Sequence, residues 1–209
     1  MTVRDNVVYA AGNSGILIYG LGDPQSSGAL SSIVEGNAVW NAPEGISAYC
    51  DVTVRNNVIF DCANPVYSYS YQGAIPRNVL IYNNTMYHGE APYLRSWDST
   101  NNCVFINNAV YTMSSGFVLI GNGRIASNAG DVTAPGFITG TASTDLTDPA
   151  NRNFYPKAGS TLIDRALSGF IPTADFNGTP RSNLPEIGAY EFTGGSNPGW
   201  TIQEGFKGR

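Results

Sequence analysis

One phrase recurs through the first half of this chain: an apolar residue, a gap, an apolar residue, asparagine, then another apolar run. It is written "MTVRDNVVYAA", "SSIVEGNAVWN", "VTVRNNVIFDC", "NVLIYNNTMYH" and "NCVFINNAVYT". The asparagines are Asn6, Asn37, Asn57, Asn84 and Asn108, separated by 31, 20, 27 and 24 residues. Self-similarity at such a period is the signature of a stacked architecture. Each unit holds three short strand-like pieces, for example "SIVEG", "AVW" and "GISAY", or "VTVRN", "VIF" and "PVYSY". Pieces this short, with so few turn residues between them, cannot fold back on one another as hairpins. They can pair with the same piece of the next unit, about 4.8 Å along an axis. That pairing builds a parallel β-helix. The asparagine then stands where one strand bends into the next. It tolerates left-handed backbone better than other residues with a side chain. Its amide can also stack on its copies as a hydrogen-bonded ladder.

Composition agrees with strands and turns. Hydrophobic residues make up 42% of the 209 residues and charged ones only 13%, with 24 glycines; the Ala/Leu/Glu/Lys mix of long helices is missing. The formal charge of -5 and the lack of a basic run argue against a nucleic-acid partner. No apolar run approaches the ~20 residues needed to cross a membrane as a helix, so no membrane insertion is expected. The first residues lack the basic and apolar blocks of a secretion signal. Cys50, Cys62 and Cys103 have no metal-binding spacing and read as buried free thiols.

The expected fold class is all-β: a right-handed parallel β-helix of about five recognisable coils with an irregular C-terminal cap. Coils occupy 1–120, closing strands and the cap 121–192, and a tail or linker 193–209. The period is lost from about Gly121. In "DFNGTPRSNLPEIGAYEF" the charged residues Asp175, Arg181, Glu186 and Glu191 read as an ion-paired cover over the end of the helix. "NNT" at Asn83 and "NGT" at Asn177 fit a glycosylation pattern, but Asn83 lies in the repeat, where corner duty explains it better.

Alternation along the third pieces sorts their side chains. In "GILIY", "GISAY", "PVYSY" and "YLRSW" the inward residues are Ile16 and Ile18, Ile46 and Ala48, Val66 and Ser68, and Leu94 and Ser96. The outward ones form two columns: Leu17, Ser47, Tyr67 and Arg95, then Tyr19, Tyr49, Tyr69 and Trp97. Four aromatics stepping along one face suit sugar rings, and they also stabilise a parallel sheet by stacking on one another. Candidate substrate-binding residues are therefore Tyr19, Tyr49, Tyr67, Tyr69 and Trp97. Candidate catalytic residues nearby are Arg95, His88 and Asp98, with Glu90, Glu44 and Asp51 as further acids.

The repeat over roughly residues 3 to 120, together with "AGSTLIDRA" and "DFNGTPRSNLPEIGAYEF", resembles the right-handed parallel β-helix group that includes pectate lyases and related polysaccharide enzymes. The resemblance implies the fold, a carbohydrate substrate, a groove over the third sheet and a secreted or cell-surface location. It makes calcium possible, although this chain has no aspartate run in matching loops and no metal site is assigned. Members of the group begin with a capping helix and earlier coils. Here the first residues already read as a strand, which predicts a C-terminal portion of a longer protein, or an open end covered by a partner chain.

Three functions stay open. A lyase acting on a uronic acid would use Arg95 against the substrate carboxylate and His88 or Tyr67 as base. A glycoside hydrolase would need two carboxylates, ~5 Å apart for retention or ~6.5–9.5 Å for inversion, drawn from Asp98, Glu90, Glu44 and Asp51. A carbohydrate-binding or surface-adhesion module would need only the aromatic face. Convergence of Arg95 with His88, or of two carboxylates, separates an enzyme from a binding module.

Overall fold

A computed structural model describes residues 1–19, 31–73, 75–205 and 207. The chain is an all-β parallel solenoid. Its first coil carries β1 (Thr2–Arg4), β2 (Val7–Tyr9) and β3 (Ser14–Ile18); the next carries β4 (Ser32–Glu35) and β5 (Ala38–Ala48). Then come β6 (Cys50–Arg55) with β7 (Val58–Ser68), and β8 (Arg77–Tyr82) with β9 (Thr85–Gly89) and β10 (Tyr93–Trp97). The coil of Asn108 holds β11 (Val104–Ile106), β12 (Ala109–Met113) and β13 (Val118–Gly121). A partial coil follows, with β14 (Arg124–Ala126), β15 (Asn128–Gly130) and then β16 (Phe137–Thr139).

Every ladder between these strands is parallel. The first wall is a six-stranded sheet in the order β1-β4-β6-β8-β11-β14. The second and third walls join in one sheet, because β5 and β7 run unbroken round the corner between them. Two pieces that read as separate strands are thus one 11-residue strand bent at Asn41 or at Asp61, both at positive φ. The second wall stacks β2, β5, β7, β9, β12, β15 and β16; the third stacks β3, β5, β7, β10 and β13.

Inward positions are β-branched or long apolar residues stacked coil on coil. Val34, Val54, Ile81 and Phe105 line the first wall, and Val39, Ile59, Met86 and Val110 the second. Burial of each such side chain contributes about 1.5–3 kcal/mol. β-branched residues suit a pleated, close-packed surface and lose little rotamer freedom there. The free thiols of Cys50, Cys62 and Cys103 are buried, as their spacing predicts.

The asparagine ladder is present, with one difference. Asn37 Nδ2 donates to Asn57 Oδ1 at 2.9 Å, Asn57 to Asn84 at 2.9 Å, and Asn84 to Asn108 at 3.0 Å. Asn6 begins the row, and Asn128 continues it beyond the expected end of the period. The left-handed residue is not the ladder asparagine but the one before it: Asp5, Gly36, Asn56, Asn83, Asn107 and Ser127 all have positive φ. The bend is made one position early, and this turns the next amide into the coil, where both its donors meet acceptors.

After β16 come α1 (Ala142–Asp145), β17 (Leu146–Asp148) and β18 (Asn153–Pro156), and then an irregular segment to residue 205. Val132, Ala134 and Phe137 pack against the interior core and close the end of the coils. The remainder lies along the outer side of the second wall. Leu146, Phe154, Phe176, Ile187 and Tyr190 pack there on Trp40, Phe60, Ala109 and Tyr111. The charged residues expected over the end of the helix are therefore on its flank: Arg181 donates to Asn56 Oδ1 at 3.0 Å, and Asn83 Nδ2 to Glu186 O at 3.0 Å. A solenoid corner exposes polar amides at every step, and an irregular segment can bond to those as readily as to an end. Asn83 has the corner duty expected of it: it takes left-handed backbone and is fully buried with its amide engaged, so its sequon is closed in the folded chain.

Candidate functional site

The outer face of the third wall carries the tyrosines. Its pairing brings Tyr67 opposite Tyr93, not opposite Arg95, so β10 is displaced by two residues from the alignment read off the sequence. Alternation survives a two-residue displacement, which is why the in/out pattern did not reveal it. Tyr67 and Tyr93 stack with centroids 5.0 Å apart and planes 17° apart. Tyr69 meets Tyr67 edge-on at 4.9 Å and Tyr49 at 5.3 Å. Tyr71 lies on Tyr49 at 5.6 Å, and Tyr19 closes the group at 6.0 Å from Tyr49. Tyr71 and Tyr93 were not among the residues picked from the sequence. Tyr93 carried a signal, two positions before Arg95 on one strand; Tyr71 stands outside the repeat and carried none.

Trp97 does not point outward. It is fully buried in the core, its indole N–H donating to Ser68 Oγ at 3.0 Å. The register of β10 against β13 breaks between Arg95 and Trp97, where Ser96 takes φ 57 and turns out to solvent. The inserted residue swaps the faces: Ser96, expected inside, is exposed, and Trp97, expected outside, fills the core. Gly121 and Gly123 make the room. A Cβ at Gly121 would lie 2.0 Å from the Trp97 carbonyl oxygen, and one at Gly123 2.3 Å from the indole ring. Tyr49 is also buried, at 4% exposure, and burial first, then Glu44, raises its phenol above the ordinary range. Ser47 is covered too, its hydroxyl bonded to Glu44 and to Ser14.

Beside the tyrosines lies an open cleft of about 770 Å³, lined among others by Tyr69, Ile75, Arg95, Asp98, Asn101 and Asn122. Arg95 is exposed, with its guanidinium 5.5 Å over the Tyr93 ring and donating to the Tyr93 hydroxyl at 2.8 Å. Among the described residues it pairs with no carboxylate. Asp98 Oδ1 accepts from Thr100 N and Thr100 Oγ1, each at 2.9 Å. These bonds, backbone first, hold its carboxyl below the ordinary range, so it is poorly suited to give up a proton near neutrality.

His88 lies apart from the cleft. It sits in β9 at the corner leading out of the second wall, in left-handed backbone, its Nδ1 2.7 Å from Asp61 Oδ1. Glu44 is held by Ser14 at 2.6 Å, and Asp51 by Asn78 at 2.8 Å, each in a different coil. Burial, and then Tyr69, raises the Tyr67 phenol, which opposes its use as a base. The structure thus unites Arg95, Asp98 and Tyr69, leaves Tyr19, Tyr49 and Tyr67 beside them, and separates His88.

Among the described residues no group of three or more His, Cys, Asp or Glu side chains is placed to hold a metal ion, and no helix is long and apolar enough to cross a membrane. A scan against protein-family models found no match, and neither did a search of curated proteins.

Proposed function

We propose that the outer third wall is a polysaccharide-binding face, selective for acidic, uronate-type sugars. The observation that carries this is the exposed Arg95 fork, steadied by the Tyr93 hydroxyl, facing an open cleft and paired with no carboxylate among the described residues. A guanidinium in that state has the geometry to take a ligand carboxylate in two parallel bonds. The tyrosines stack on one another, which occupies their faces. They offer edges and hydroxyls to a sugar rather than platforms, and exposed Ile75, Ile120 and Tyr71 add apolar contact. Repeated coils suit a polymer, because the face lengthens along the axis. The resemblance to the pectate-lyase-like β-helix group points the same way, towards a secreted or cell-surface protein.

Among the three functions, the binding module is favoured. The hydrolase reading lacks support, because Asp98 is the one carboxylate among the described residues lining the cleft and its turn engages it. The lyase reading keeps one supporting observation, the Arg95–Tyr93 contact, which places a phenol beside a cation that would neutralise a uronate.

Calorimetry with polygalacturonate, alginate and a neutral glucan tests the proposal. Binding to a uronate polymer should weaken about tenfold or more in Arg95→Ala, equivalent to about 1.4 kcal/mol. Equal binding of the neutral glucan by both proteins, with no uronate preference, would overturn it. Ultraviolet absorbance of unsaturated ends, growing with time and lost in Tyr93→Phe, would move the function to the lyase.

A further inference from the structure

The flank carries a set of acids that the glycan face does not use. Asp175, Glu186 and Glu191 are buried around one guanidinium, Arg181, whose side chain is 1% exposed. Asp175 is satisfied: Oδ1 accepts from Asn177 N at 2.8 Å and Thr179 N at 2.7 Å, and Oδ2 from Glu191 N at 2.8 Å. Arg181 uses its Nη atoms on oxygens other than carboxylates, with bonds to Glu186 O at 3.2 Å, Gly188 O at 2.8 Å and Asn56 Oδ1 at 3.0 Å. Its closest carboxylate is Glu191, at 3.7 Å.

That leaves two oxygens without a donor. Glu191 Oε1 accepts from Ser182 N at 2.6 Å, but Glu191 Oε2 and Glu186 Oε2 are buried with no hydrogen-bond partner. Both residues belong to the cluster round one guanidinium: Glu191 Oε2 lies 3.7 Å from Arg181 Nη1, and the Glu186 carbonyl accepts from the same nitrogen at 3.2 Å. Two ionised carboxylates cannot bond; a carboxyl and a carboxylate can, because the protonated one supplies a donor.

We propose that Glu186 and Glu191 share one proton, and that this pair is a pH-operated lock holding the flank against the corners of the solenoid. The seam it guards is made by its own neighbours: Gly188 N donates to Asn107 O at 2.8 Å, Ala189 N to Thr85 Oγ1 at 2.9 Å, and Asn83 Nδ2 to Glu186 O at 3.0 Å. Removing the proton places two like charges side by side in a buried site beside one cation, which strains that seam.

The environment agrees on which partner holds the proton. Burial, then Glu191 itself, pushes the Glu186 carboxyl up to about 8. Burial would raise Glu191 as well, but bonds to Glu186 and Ser182 and the charge of Arg181 hold it below the ordinary range. On the flank side Arg181 faces the pair, Asp175 accepts from the Glu191 N–H, and the buried Tyr190 hydroxyl lies in the field of Asp175. The solenoid side presents the uncharged Asn56, Asn83, Thr85 and Asn107. Lys207, bonded to Phe176 O and 3.6 Å from Asp5, and Arg152, over the Trp40 and Phe60 rings, are further cations on this flank.

Limited proteolysis of the full chain between about pH 6 and 9.5 tests the lock. In the wild type, cleavage within 170–205 should rise about tenfold as pH passes about 8, because cleavage follows the opened population. Glu186→Gln, whose amide donates without titrating, should show a flat profile. A flat wild-type profile, or a Glu186→Gln profile that rises like the wild type, overturns the proposal. Should Glu186→Gln fail to fold, the infrared band of a buried protonated carboxyl decides on the wild type alone. Loss of that band over the same pH range supports the shared proton, and its absence at neutral pH overturns it.

Discussion

At the residue scale the ladder asparagines do what no other side chain can. Asn57 Nδ2 donates to Val34 O, Arg55 O and Asn84 Oδ1, while its own Oδ1 accepts from Asn37. Aspartate has the same shape but no N–H donor, so Asn57→Asp turns several buried bonds into oxygen–oxygen contacts. It should destabilise the fold by about 3 kcal/mol or more, seen as a fall in the urea midpoint. Asn6→Asp, at the partly exposed end of the row, should cost about 1 kcal/mol; an equal loss at both positions would refute the ladder as the source. The thiols give a second check. Burial pushes those of Cys62 and Cys103 up to about 11. They should resist a thiolate-selective disulfide reagent at neutral pH and react at once in denaturant. Fast native labelling would contradict their burial.

At the element scale β10 decides the candidate site. Strict alternation along "YLRSW" places Trp97 outside, and the structure puts it inside because Ser96 is an extra, left-handed residue. Nothing local in the sequence announces that residue. The reason lies in the next coil, where Gly121 admits the Trp97 backbone and Gly123 leaves room for the indole ring. Gly121→Ala should therefore lower the melting temperature well beyond Gly73→Ala. Gly73 also has positive φ, but nothing lies within 4 Å of its added Cβ, so it should cost about 1 kcal/mol. Similar losses at both would mean that the positive φ, not the close approach of the Trp97 backbone, sets the cost. The same displaced register brings Tyr93 to Tyr67 and so supplies the hydroxyl that steadies Arg95.

At the scale of the whole molecule, buried hydrogen bonds tie the flank to the coils. Tyr111, on the second wall, donates to Asp145 at 2.8 Å, and Thr161 N donates to the same carboxylate at 2.8 Å. Tyr111→Phe leaves that buried carboxylate short of a donor and should cost about 1–3 kcal/mol in global unfolding, not merely in release of the flank. A wild-type-like global transition with an early, separate flank transition would disprove the coupling. Stability should also fall with alkali. Glu186 binds its proton more tightly folded than unfolded, so its contribution is full below the unfolded carboxyl range and is lost as pH rises through about 8. The urea midpoint should drop between about pH 5 and 9, and less so in Glu186→Gln.

The parallel solenoid was determined by the sequence alone. Its signal is periodic, and each repeat of apolar positions and asparagine restates the same stacking contact, so one misread unit does not change the answer. The buried thiols and the ladder were legible for the same reason. The site was not. Whether Tyr67 faces Tyr93 or Arg95, whether Trp97 points in or out, and whether His88 approaches the cleft depend on register between coils and on one inserted residue. A displacement of two leaves alternation unchanged, and a bulge reverses it without any local mark. The flank was hidden likewise: its contacts join residues more than 100 positions apart, such as Asn83 and Glu186. Local sequence carries no record of which face an aperiodic segment covers, and only the tertiary structure placed it against the corners.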